Sequence, residues 1–236
     1  MKPILVLQTG DADKDIMRRH GNFDQMFVRF GNLMRKPHQV IHVERGEVLR
    51  SPLDYSGVLV TGSPAMVTDR CAWSKAAGEW LKRVFEANIP IFAVCYGHQL
   101  LADALGGVVD YHEKGMELGT QEIVLTEDAK SDALLSSLPP RFSANLLHSQ
   151  TVVVPPQGAT VLAYSKHDPH QILRYGKYAM STQFHPEFDG EIMRDYVALE
   201  CSRDPNLPKE NAVDTPEALG LMQRFIEMLV LEFGKK

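Results

Sequence analysis

Cysteine is scarce in this chain of 236 residues, which has three thiols, Cys71, Cys95 and Cys201. An odd number with no Cys-x-x-Cys spacing argues against a disulfide framework and predicts a reducing, cytoplasmic setting. Long apolar runs are missing as well, and none approaches the roughly 18 residues of a membrane span. The opening Met-Lys-Pro-Ile-Leu-Val-Leu-Gln lacks the longer apolar core and small-residue cleavage site of a signal peptide. No block of Lys or Arg stands against the net charge of −5, so neither nucleic acid nor membrane is expected as a partner. There is no Gly-x-x-x-x-Gly-Lys-[Ser/Thr] phosphate loop, no internal repeat and no low-complexity tract. The nine histidines do not predict a metal site, and no cofactor is expected.

What is there is ordinary globular material, 44% hydrophobic and 23% charged, enough to bury a substantial core. Residues 3–8 read as a first strand and residues 9–22 as a long polar loop. Residues 23–34 carry apolar side chains on one helical face, with Asp24 in the first turn where the dipole favours an acid. Residues 39–43 and 57–61 are strands, the second running into the turn-forming Gly62-Ser63-Pro64. Residues 72–87 form a helix, 89–94 a central strand, and 97–105 a helix ended by Gly106-Gly107. Such alternation predicts an α/β fold with a mostly parallel central sheet flanked by helices.

The second half changes character. Residues 108–111, 121–125, 151–154, 160–164, 171–175 and 178–184 are short strands, predicting a small antiparallel edge sheet. Tyr175-Gly176-Lys177-Tyr178 reads as a tight hairpin connection. Residues 191–200 and 216–233 are helices joined by a Pro-containing linker, the last with Thr215 as N-cap and Pro216 near N1. The expected organisation is a domain over residues 1–190 with a C-terminal helical extension, 191–236, packed on it.

Cys95 stands where a strand becomes a helix. A helix N-terminus at a strand end favours thiolate, and its free N–H groups can receive a developing oxyanion. Gly97 removes a side chain that would crowd the turn. A nucleophilic thiol needs a base, and His185 follows a strand in Ser181-Thr182-Gln183-Phe184-His185-Pro186-Glu187. Open α/β sheets gather ligands at the C-terminal ends of their strands, so a strand-end His can meet a strand-end Cys. Glu187, two residues on, can bond the distal ring nitrogen and orient it. Gly62-Ser63 can bring a backbone N–H close to a ligand, and His148-Ser149 can supply substrate contacts. Taken singly, these are a buried structural cysteine, a surface His-Pro-Glu turn and connecting loops.

Together the pieces resemble the class I (triad-type) glutamine amidotransferase family. Val94-Cys95-Tyr96-Gly97-His98-Gln99, followed by Leu105-Gly106-Gly107, matches its nucleophile signature, and Gln183-Phe184-His185-Pro186-Glu187 matches its His–Glu signature. The resemblance spans about residues 3–190 and implies a flavodoxin-like α/β domain. It implies that Cys95 attacks the γ-carbonyl of glutamine, that His185 relays the proton and that Glu187 orients His185. It further implies an oxyanion hole from the N–H of Tyr96 and one from the Gly62-Ser63 turn. Gln99 matches a glutamine-contacting position. The backbone of Glu117-Leu118-Gly119 and His148-Ser149 match segments that cradle the substrate's amino-acid end. Glutamine would pass through a γ-glutamyl thioester to glutamate and ammonia.

Three positions depart from the family pattern. Ala93 stands where glycine is frequent, Thr61-Gly62-Ser63-Pro64 replaces Ser-Gly-Gly-Pro, and Gln150 stands where an acid that would pair with the substrate ammonium is common. No acceptor site for ammonia is legible, and the segment after residue 190 is too short for a second α/β domain. Either a separate synthase subunit uses the ammonia, or the chain is a γ-glutamyl peptidase or hydrolase acting on a larger γ-glutamyl amide. A catalytically silent binding or regulatory protein is the third reading. The 9–22 loop, on the same rim as Cys95, is expected to cover the mouth of the site.

Overall fold

The computed structural model describes residues 2–208 and 210–233. Its first half runs β1 (Ile4–Gln8), α1 (Lys14–His20), α2 (Phe23–Phe30), β2 (His38–His42), β3 (Gly57–Val60), α3 (Ala72–Glu86), β4 (Ile91–Val94) and α4 (Tyr96–Ala104). Its second half runs β5 (Val108–Tyr111), β6 (Glu117–Leu125), β7 (Arg141–His148), β8 (Gln150–Val154), β9 (Thr160–Tyr164), β10 (Ile172–Arg174) and β11 (Ala179–Thr182). It closes with α5 (Gly190–Arg203), α6 (Pro216–Met228) and a π-helical turn, Leu229–Phe233.

One nine-stranded sheet has the order β2-β1-β3-β4-β11-β10-β9-β6-β7. Its β2 to β11 side is parallel throughout, and β11 to β7 is antiparallel. β5 and β8 form a separate two-stranded antiparallel ribbon. Most of the short strands of the second half thus continue the main sheet, and the small sheet consists of β5 and β8.

Successive residues of a strand face opposite sides, and the parallel strands are buried on both. Val6, Leu59, Phe92 and Val94 enter one core with Phe27 of α2 and Leu221, Phe225 and Ile226 of α6. Leu5, Leu7, Val58, Val60, Ile91 and Ala93 enter the other with Trp80 and Leu81 of α3 and Leu101 of α4. Each large side chain fully withdrawn from water stabilises the fold by roughly 1.5–3 kcal/mol before entropy is counted. A third apolar cluster joins α1, α2 and α5 through Ile16, Phe23, Phe188, Ile192 and Tyr196, and it lies beside the site. Among the described residues, no helix is long and apolar enough to cross a membrane.

One expectation needs correction. The 9–22 segment contains helix α1, capped by the Asp13 side chain, which accepts from the Asp15 N–H. The charged sequence Lys-Asp-Ile-Met-Arg-Arg-His buries Ile16 alone. Its helicity is supported from outside, by an ion pair from Arg19 and a hydrogen bond from His20 to Asp195 of α5. Strand β7, not among the strands expected from sequence, contains no Val, Ile or Thr, yet it pairs with β6 over eight registers. Thr215 occupies the N-cap of α6 with Pro216 in its first turn, as expected, although the Thr215 side chain makes no capping bond and its buried hydroxyl has no partner among the described residues.

Candidate active site

The site is assembled by the ends of parallel strands. β4 and β11 pair in register with Val94 opposite Thr182, and the Cys95 N–H donates to the Thr182 carbonyl at 2.9 Å. The next residues of each chain segment, Cys95 and Gln183 to Glu187, therefore emerge side by side. Cys95 has φ +51° and ψ −104°, a left-handed backbone that a non-glycine residue adopts at a cost of about 1–3 kcal/mol. This sharp turn lets α4 begin at Tyr96 and leaves Tyr96 among the first-turn N–H donors that have no intrahelical acceptor. A β-carbon on Gly97 would lie 2.8 Å from Val60 Cγ1 and 3.0 Å from the Val60 carbonyl oxygen, so the helix start is pressed against β3.

His185 is buried and held from several sides. Its backbone N–H donates to the Asn145 carbonyl at 2.8 Å. Its Nδ1 lies 2.8 Å from Glu187 Oε1; a carboxylate oxygen only accepts, so Nδ1 carries the proton and Nε2 is left for the thiol. The Phe188 ring stacks on the imidazole at 4.1 Å between centroids and 7° between planes. The Nε2 atom has no partner at ordinary hydrogen-bond geometry, and Cys95 Sγ makes a long contact, 3.6 Å, to the Leu147 carbonyl. Cys95 nevertheless acts on His185. Burial lowers the imidazole pKa, but the Glu187 charge, followed by the Cys95 charge and side-chain hydrogen bonding, raises it to about 10.

The Gly62-Ser63 turn faces the same point. A β-carbon on Gly62 would sit 2.9 Å from His185 Cε1 and 3.6 Å from Cys95 Cβ. The Gly62 carbonyl accepts from the Thr9 and Thr61 hydroxyls at 3.0 Å each. Because the peptide is planar and trans, the Ser63 N–H across that bond points the opposite way. Thr9 was not singled out from the sequence, although it directly follows a strand end on the same rim.

Cys95, His185, Ser63, Gln99, His148 and Ser149 all line one cavity of about 850 Å³. Gln99 is held by its amide N–H groups, which donate to the Gln150 carbonyl at 2.7 Å and to Gln183 Oε1 at 3.0 Å. His148 donates from Nδ1 to the Gln150 carbonyl at 2.9 Å and from Nε2 to Glu117 Oε2 at 2.8 Å. Two donating nitrogens require imidazolium. Burial works against it, but the Glu117 hydrogen bond and charge raise the His148 pKa. Glu117 also accepts from Ser165 and Gln171, so its carboxylate is committed to the interior. Glu117 and Leu118 line a second cavity, about 1060 Å³, that neither Cys95 nor His185 borders. Gly119, with φ +85°, faces Glu210 and Asn211. The structure thus gathers Cys95, His185, Glu187, Tyr96, Gly62, Ser63, Gln99, His148 and Ser149, and sets the Glu117-Leu118-Gly119 strand behind them.

Gln150, the departure noted in sequence, does not offer its amide to the cavity centre. Its Oε1 accepts from the Val67 N–H at 3.0 Å and its Nε2 donates to Thr68 Oγ1 at 2.5 Å. Sequence reasoning also missed Asn145, which bonds the Phe188 carbonyl at 2.9 Å, and Tyr196 of α5, which lines the cavity with Glu200 and Arg203. Nothing in sequence marks these four, because they arrive from β7 and from α5. Two groups of acids and histidine lie close together, Asp11 with His42 and Glu44, and Glu117 with His148 and Asp168. The second is spent on internal hydrogen bonds, and in the first Arg45 pairs with Asp11 at 2.7 Å.

The likenesses to known proteins agree with this geometry. The chain is 32% identical over 168 residues to the GMP synthase [glutamine-hydrolyzing] of Borreliella burgdorferi, across 69% of this chain and 31% of that one. It is 35% identical over 190 residues to the protein of the same name from Desulfotalea psychrophila, across 78% of this chain and 33% of that one. The chain thus matches about a third of the length of these curated relatives. In fold it superposes on a glutamine amidotransferase of Thermotoga maritima with TM-score 0.74 and 20% identity, covering 96% of this chain and 99% of that one. A glutamine amido transferase of Methylobacillus flagellatus gives TM-score 0.71 and 21% identity, over 100% and 95% of the two chains. A family model described as glutamine amidotransferase class-I matches residues 23–200, a stretch that holds the strained Cys95 turn and the His185–Glu187 pair, and the chain belongs to that family.

Proposed function

We propose that the chain hydrolyses the γ-carboxamide bond of glutamine or a related γ-glutamyl amide through Cys95, His185 and Glu187. The observation that carries this reading is the convergence of a strained strand-to-helix cysteine with a buried, carboxylate-bound histidine at one cavity. Cys95 gives its thiol proton to His185 as its sulfur forms a bond to the γ-carbonyl carbon, and the carbonyl oxygen takes up the displaced electron pair beside the Tyr96 and Ser63 N–H groups. His185 delivers a proton to the leaving nitrogen as the C–N bond breaks, which frees ammonia or an amine and leaves a γ-glutamyl thioester. Water, giving its proton to His185, then cleaves the C–S bond to yield glutamate and the thiol. Gln99, His148 and Ser149 border the substrate, His148 through the loop it fixes. Residues 1–190 carry the triad in this reading, and α5 closes one side of the cavity through Tyr196, Glu200 and Arg203.

A larger γ-glutamyl amide is the second reading, favoured by the space beside Cys95, about 850 Å³. A separate synthase subunit receiving ammonia fits the first reading, since the relatives named for GMP synthesis are about three times as long as the matched region. The test is Cys95→Ala, assayed for glutamate release and for trapped thioester by mass spectrometry. Turnover and thioester should both vanish while circular dichroism stays native. Retained turnover excludes the mechanism, and a wild-type chain that hydrolyses no γ-glutamyl amide turns the reading toward a silent binding protein.

A further inference from the structure

The cavity is built for more than glutamine. Pockets of about 300–1,000 Å³ ordinarily take a whole drug-sized ligand, and the space beside Cys95 is about 850 Å³, whereas glutamine has about ten non-hydrogen atoms. Its walls include apolar side chains from four separate segments: Met17 of α1, Phe23 of α2, Met116 before β6, and Phe188 just before α5 with Tyr196 within it. The aromatic members form a layer, with Phe188 stacked on Phe23 at 6.3 Å and on Tyr196 at 5.1 Å. Methionine and aromatic rings lining a space of this size adapt to a bulky apolar guest.

A polar atom in that wall also lacks a partner. Tyr196 is 4% exposed, and its hydroxyl makes no hydrogen bond. A buried hydroxyl left unpaired is costly, so this one marks a place for an acceptor on a bound molecule. The rim carries charge of both signs. Its acids are already paired, Asp11 with Arg45, Asp15 with Arg18, and Asp13 and Glu200 with Arg203, while Lys14 has no ion pair among the described residues.

From these walls, this unpaired hydroxyl and this rim, we infer that the leaving group is an amino acid with a large apolar or aromatic side chain, so that the preferred substrate is a γ-glutamyl dipeptide. The side chain lies against Met17, Met116 and the aromatic layer, and its carboxylate faces the Tyr196 hydroxyl and the unpaired Lys14. The inference rests on the γ-glutamyl hydrolase reading above. The chemistry is the same: the amide C–N bond breaks, the free amino acid departs with the proton from His185, and water releases glutamate from the thioester.

The test compares glutamine, γ-glutamyl-alanine and γ-glutamyl-phenylalanine on the full chain, with glutamate release as the readout. The expected result is a kcat/KM for γ-glutamyl-phenylalanine roughly tenfold or more above glutamine, carried mainly by KM because the gain comes from burying the side chain. Met116→Ala should reduce that preference about threefold or more, and Met17→Ala is the second variant should the first fail to fold. Glutamine cleaved as well as or better than γ-glutamyl-phenylalanine overturns the dipeptide inference and leaves the hydrolase reading standing. No turnover and no trapped thioester with any of the three overturns the hydrolase reading itself.

Discussion

At the residue scale, the chemistry depends on how His185 is charged. Burial alone would favour neutral imidazole, yet Glu187 at 2.8 Å and the neighbouring Cys95 raise its pKa to about 10. Glu187→Gln keeps the shape and removes the charge, so burial then governs. Turnover should fall by roughly 10²–10⁴-fold, and the His185 ring titration followed by NMR should move down. An unchanged titration would show that Glu187 does not set the charge of the imidazole. Cys95, His185, Glu187 and the Gly62-Ser63 turn were legible in sequence because each lies within a few residues of a strand end. Phe188 adjoins the His-Pro-Glu run, and its 4.1 Å stack on His185 had no sequence signal beyond that adjacency. Asn145 had none.

At the scale of elements, the start of α4 is fixed by its fit to β3. An alanine at position 97 would bring its β-carbon within 2.8 Å of Val60 Cγ1 and 3.0 Å of backbone that cannot yield easily. Gly97→Ala should destabilise the fold by about 1–3 kcal/mol and reduce turnover by displacing Cys95 and the Tyr96 N–H. Urea denaturation with parallel kinetics measures both, and a variant of wild-type stability would contradict the packing argument. Helix α1 illustrates the opposite dependence. Its own residues supply a cap and one buried side chain, while Asp195 of α5 accepts Arg19 and His20. Sequence periodicity registers apolar faces and therefore found α2, α3 and α6. It passed over α1, whose support is charged and distant. It passed over β7 as well, where cross-strand pairing with β6 substitutes for β-branched residues.

At the scale of the whole molecule, stability in acid should report the buried histidines. His98 is fully buried, bonds Ser181 Oγ at 2.7 Å, and has its pKa lowered by burial to about 3. The unfolded chain takes up that proton below its ordinary value near 6.5 and the folded chain does not. Stability from this group is therefore complete above about pH 6.5 and is lost as pH falls toward 3, with a slope of about 1.4 kcal/mol per pH unit. His185 has the opposite sign: its contribution is complete below about pH 6.5 and is lost as pH rises through about 10. His98→Gln should flatten the wild-type stability curve between pH 6.5 and 3 by that slope, measured by denaturation at several pH values. Parallel curves for the two proteins would remove His98 as the cause.

By itself, the sequence determined the parallel α/β half, the positions of Cys95 and His185 at strand ends, and the family, because these follow from local periodicity and short motifs. Tertiary structure alone decided which residues surround them. Phe23 of α2, Met17 of α1 and Tyr196 of α5 come from segments far apart in the chain, and core packing brings them to one cavity, while Asn145 of β7 holds the His185 backbone behind it. The bond under attack is thus written locally in the Cys95 and His185 motifs. The space that selects what leaves from that bond exists only after the sheet has closed and the last helices have packed.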